Sequence, residues 1–145
     1  MQASRSILER TGNEQAWRAW RTQALIAAGR VDEAVADLPE GHRDAAPDLV
    51  VGLTLMAKAE RSGDFEEALV YADRLHQEAH EPRLLLRACQ LLAEKEKWPE
   101  VASRIPFLEH VGTAETLRLA AGAAWNTHDP GLCLRVVERS HAAFP

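Results

Sequence analysis

Apolar residues along this chain recur at three- and four-residue spacing in runs that come in pairs. Leu49, Val50, Leu53, Leu55, Met56 and Ala59 form one run, and Phe65, Ala68, Leu69, Ala72 and Leu75 form the next, with Gly63 between them. Such spacing places the apolar side chains on one side of an α-helix, so each run predicts a helix with one buried face. A second pair follows, with Leu84, Leu85, Ala88, Leu91 and Leu92 before a turn and Val101, Ile105 and Leu108 after it. The last has Leu117, Ala120, Ala121 and Ala124 before its turn and Cys133, Leu134 and Val137 after. Near the start, Trp17, Trp20, Ala24 and Ala28 make a stripe that predicts a core face for both tryptophans, with a binding anchor as the alternative for Trp20.

The turns between paired runs repeat one another. AAGRVDEAV (27–35) aligns with RSGDFEEAL (61–69): Gly29 matches Gly63, Val31 matches Phe65 and Ala34 matches Ala68, 34 residues apart. In EKWPEVA (96–102), Trp98 stands for Phe65 and Val101 for Ala68, 33 residues on. In HDPGLCL (128–134), Pro130 and Cys133 take those places after a further 32. Punctuation agrees with these boundaries. Pro47, Pro82, Pro99 and Pro130 fall where helices begin, which proline tolerates. Asp129 and Thr113 are suited to cap helix starts, and Gly29 and Gly63 to end them in the left-handed conformation. Pro106 is expected to end or kink the helix that starts near Trp98, because it removes a donor and crowds the preceding turn.

A helix–turn–helix unit of about 34 residues, repeated four times, is a repeat signature. The chain resembles the tetratricopeptide repeat (TPR) family. SGDFEEALVYADRL (62–75) carries that resemblance best, followed by AGRVDEAVADL (28–38), KEKWPEVASRI (95–105), THDPGLCLRVV (127–137) and the closing AAFP (142–145). The resemblance implies an all-α fold, a TPR-like right-handed α-α superhelix of about four helix pairs. It divides the single repeat domain 1–145 near 13–46, 47–80, 81–112 and 113–145. Residues 1–12 then read as the tail of a preceding repeat or a capping helix, as for a piece of a longer array or a larger protein.

In that family the first helix of each pair lines a concave groove that takes a peptide or helix of another protein. Here those helices fall within 13–28, 48–61, 82–95 and 114–127. By resemblance, Arg83, Arg87, Gln90 and Glu94 border the groove on the third, Glu115, Arg118, Gly122 and Asn126 on the fourth, and Val50, Thr54, Ala57 and Arg61 on the second. Trp125 is the aromatic expected to stay partly exposed, and Trp98 the one expected to pack. Arginine pairs well with carboxylates through its planar fork, so Arg83, Arg87 and Arg118 suit an acidic or C-terminal segment. Family members that clamp acidic chaperone tails need a Lys and two Asn in the first two repeats. Thr54 stands where an Asn is expected, and the first repeat offers Ala19 and Gln23 or Arg18 and Thr22. That pattern is broken, and binding of chaperone tails is not expected.

Composition and candidate chemistry narrow the function classes. Acidic residues exceed basic ones, 22 to 17, without a basic stripe, which argues against tracking a phosphate backbone. No apolar run is long enough to span a membrane, and residues 1–10 lack the apolar core of a secretory signal. Cys89 and Cys133 sit inside apolar helical patterns and read as small buried hydrophobes, which favours a reducing, cytoplasmic setting. His76 and His80 share a helical face at metal-ligand spacing, but no glutamate follows the first and no third ligand is near in sequence. No phosphate-binding or dinucleotide motif is present. The expectation is a non-catalytic scaffold without cofactor or metal. Self-association as a homo-oligomer, or service as a regulatory array beside a catalytic domain, stands as the alternative.

Overall fold

The computed structural model describes residues 7–145, and for residues 7–13 and Gln15 the backbone alone. Among the described residues the chain is all-helical, with nine helices and no strand. It divides into two compact units, one ending at Glu81 and the other beginning at Pro82.

The first unit holds α1 (Ile7–Ala27), α2 (Val31–Ala36), α3 (Leu49–Ser62) and α4 (Glu66–Ala79). α1 pairs with α2 and α3 with α4, and α3 also packs against both α1 and α2. Leu25, Val31, Ala34, Val51, Leu55, Phe65, Ala68, Ala72 and Leu75 are buried there. α2 is short. The chain leaves the helix at Asp37, before Pro39, and crosses to α3 through residues 37–48. Arg74 secures that crossing by donating to the carbonyls of Arg43 (2.7 Å) and Ala45 (3.0 Å). The Tyr71 hydroxyl accepts the Asp48 N–H at 2.9 Å, fixing the start of α3 against α4. Burial pushes the Tyr71 phenol above its ordinary range, and the Asp48 amide bond acts in the opposite sense.

The second unit holds α5 (Arg83–Glu94), α6 (Trp98–Ala102), α7 (Ile105–Val111), α8 (Ala114–Asn126) and α9 (Pro130–Ala143). α8 is its centre, packed against α5, α6, α7 and α9. Ala120, Ala123 and Ala124 are buried on α8 and let its neighbours approach closely. The helix expected from Trp98 is interrupted after Ala102 and resumes at Ile105, with Pro106 in the first turn of α7. The two pieces serve as one interrupted second helix. Thr113 caps α8 with a reciprocal capping box to Thr116, and Asp129 caps α9 by accepting from the Leu132 N–H at 3.1 Å.

All four predicted turns share one backbone conformation. Gly29, Gly63, Glu96 and His128, spaced 34, 33 and 32 residues apart, have φ of +76°, +80°, +59° and +64°. At three of them the same hydrogen bond closes the preceding helix: Arg30 N–H to Leu25 O, Lys97 N–H to Leu92 O and Asp129 N–H to Ala124 O, at 2.8–2.9 Å. The repeat register is therefore a backbone property that persists where glycine does not. A side chain in the left-handed region costs about 1–2 kcal/mol, partly offset by the freedom glycine adds to the unfolded chain. Glu96→Gly and His128→Gly are each expected to raise stability by about 0.5–1 kcal/mol in urea unfolding, the balance of those two effects. Gly63→Ala should lower it by about 1 kcal/mol. A Cβ at Gly63 would meet nothing within 4 Å, so its effect reads backbone strain alone.

Two expectations need correction. Trp17 and Trp20 are 75% and 72% exposed, not core. α1 meets α2 and α3 through the narrow strip of Ala19, Thr22, Leu25 and Ile26, and the tryptophan stripe lies round the helix from it. Residues 7–27 form one helix, and what was expected of residues 1–6 lies outside the described residues. His80 ends α4 in the left-handed conformation, so it does not stack above His76 on a helical face.

Candidate functional site: the first-helix faces

In the second unit the two first helices, α5 and α8, lie side by side. Leu84, Leu85, Ala88, Leu91 and Leu92 of α5 all turn inward, which leaves Arg83, Arg87 and Glu94 exposed and Gln90 half-buried. Glu115 and Arg118 are exposed on α8. The Gln90 side-chain amide donates to the Glu115 carboxylate at 2.7 Å, joining the two predicted faces into one polar surface. Arg87 and Arg118 stand on it with no acid paired to either among the described residues.

The other predicted site residues divide. Trp125 is 65% exposed at the end of α8, as expected. Asn126 is exposed, and its side-chain amide donates back to the Gly122 carbonyl of its own helix at 2.7 Å. Gly122 itself faces α6: a Cβ there would sit 3.6 Å from the Trp98 ring, so the glycine makes room for that half-buried aromatic. Thr54 is a correction. It is fully buried, with its hydroxyl donated to the Val50 carbonyl at 2.9 Å. The cause is that α3 has α1, α2 and α4 packed around it, and Val50, Leu53 and Ala57 keep only partial exposure.

The first unit contains a cleft of about 260 Å³ that the sequence reading missed, lined by Arg18, Ala19 and Thr22 of α1, the Asp37–Pro39 segment after α2, and Asp48, Val50, Val51 and Thr54 at the start of α3. It opens because α2 stops early. One repeat later α4 continues through Ala72 and buried Leu75, whereas the corresponding positions here are Leu38 and exposed Gly41. The signal was present in the Pro39 and Gly41 punctuation. Arg21 neutralises Asp37 at 2.9 Å, and no acid pairs with Arg18 among the described residues.

Among the described residues, no group of three or more His, Cys, Asp or Glu is placed to hold a metal ion, and no helix is long and apolar enough to cross a membrane. Cys89 is buried and Cys133 half-buried, and no disulfide joins them. Comparison of this sequence with protein-family models, with curated proteins and with solved structures returns no match.

Proposed function

We propose that this chain is a TPR-like helical-repeat scaffold, non-catalytic, whose first helices receive a peptide or helix of another protein. The observation that carries the reading is the α5–α8 face. It is polar, bridged by Gln90 and Glu115, and it holds the arginines Arg87 and Arg118 without an acid partner among the described residues. Four helix pairs in register, with the following first helix packed on the preceding pair inside each unit, favour the solenoid architecture over an irregular bundle. The absence of a disulfide between Cys89 and Cys133 fits a reducing compartment such as the cytoplasm.

The favoured partner segment is acidic. A desolvated arginine–carboxylate contact contributes about 1.5–3 kcal/mol, so each lost arginine should weaken binding about tenfold or more. Fluorescence anisotropy with a panel of labelled Asp- and Glu-rich peptides tests this. Wild type is expected to bind at least one of them, with affinity falling as salt rises. Arg87→Glu/Arg118→Glu should abolish that binding while retaining its circular dichroism spectrum, since both sites are exposed. Equal affinity of the double variant and wild type would overturn the arginine assignment.

A further inference from the structure

Leu134 and Val137 lie along one side of α9 and are 59% and 47% exposed, and Phe144, just past its end, is 48% exposed. One repeat upstream, Leu134 and Val137 correspond to Ala102 and Ile105. There α8 packs against α6 and α7, and Ile105 is buried. One repeat further back, Val137 corresponds to Ala72, which is buried as well. The exposed side of α9 thus occupies the register of a surface that receives a first helix. No helix among the described residues lies on it.

Trp17 of α1 is the complementary case. Its register position is held by Val51 in α3, Leu84 in α5 and Thr116 in α8, and all three are buried. Ala24, seven residues on, is exposed, where α5 and α8 have buried Leu91 and Ala123 and only α3 has an exposed Lys58. α1 is therefore a first helix whose pair-to-pair face is apolar and open.

We infer that these two faces are the halves of one interface between copies of this chain. α1 of a second copy seats against α9 of the first in the manner in which α8 seats against α6 and α7. The inference continues the packing already present inside the chain: the α9 face is built for a first helix, and α1 is the first helix with its matching face open. Burying Trp17 against Leu134 and Val137 removes large apolar side chains from water, the main driving force for association. The contact is heterologous, so a first pairing leaves one α1 face and one α9 face for a further copy or for ring closure. The inference uses the repeat register of the proposed scaffold but not its arginine face, so either can fail while the other stands.

Sedimentation velocity over a range of concentrations tests it with three proteins. Wild type is expected to associate, to a dimer or beyond, as concentration rises. Trp17→Glu and Leu134→Glu/Val137→Glu should each stay monomeric, because each lacks one half of the contact. An equimolar mixture of the two variants should form a dimer and nothing larger, since only one pair of intact faces remains. All substituted positions are exposed, so circular dichroism of each variant should match wild type. A wild type that stays monomeric at every concentration overturns the inference. So does a single-face variant that still dimerises, which would mean like faces pair with each other.

Discussion

Phe65→Ala is expected to lower stability by about 3–5 kcal/mol, whereas Trp17→Ala, a larger truncation, should change it by no more than about 0.5 kcal/mol. Both residues read as core from the apolar pattern, and the structure separates them. Phe65 is buried at the start of α4, in the register position that Val31 and Trp98 fill in neighbouring pairs. Its removal leaves a cavity bounded by helices that their other contacts hold in place, so little of the lost packing is recovered. Trp17 stands in solvent on α1, where truncation gives up almost no buried area. Urea unfolding followed by circular dichroism checks both. The experiment belongs at low protein concentration, because any association through the α1 face would stabilise wild type by mass action. A loss for Trp17→Ala as large as that for Phe65→Ala would mean that the α1 stripe is covered in the dilute monomer.

Leu108→Ala is expected to cost about 2–5 kcal/mol, while Pro106→Ala should change stability by less than about 1 kcal/mol. α7 has seven residues and is too short to persist on its own. Its anchors are Ile105 and Leu108, both buried, and Glu109, which accepts from Arg135 at 2.6 Å and Arg139 at 3.1 Å on α9. Losing Leu108 removes the fully buried member of that set and should fray the helix. Pro106 lies in its first turn, where the missing N–H breaks no intrahelical bond. Were it inside one continuous helix from Trp98, replacing it would relieve a penalty of about 3 kcal/mol. Hydrogen exchange over residues 105–111 distinguishes the cases: faster exchange is expected in Leu108→Ala, and an unchanged pattern in Pro106→Ala.

Much of the helical organisation was legible in the residues. The offsets of 34, 33 and 32 found by aligning Gly29, Gly63, Trp98 and Pro130 with their counterparts reappear as four left-handed turns, even where Glu96 and His128 replace glycine. Local chemistry suffices for this, because caps, prolines and apolar period act within one or two helical turns. The exposed polar face of α5 could be read for the same reason: five inward aliphatic residues leave Arg83, Arg87, Gln90 and Glu94 the remaining side. Thr54 and the two tryptophans of α1 could not. Periodicity identifies which side chains share a helical face but carries no information on how many neighbours that helix has. α3 has three and buries a threonine; α1 leaves Trp17 and Trp20 in water.

The sequence by itself determined an all-helical chain, the register of its helix pairs, the turns between them and the stripe of arginines on α5 and α8. These follow from hydrogen bonding, side-chain periodicity and capping, which are local. Only the tertiary structure decided which stripes are covered, that α5 and α8 share one surface through Gln90 and Glu115, and that the short α2 leaves a cleft. It also decided that apolar faces on α1 and α9 stand open. Burial is a relation between helices distant in the chain, and it is settled when their shapes and volumes pack together.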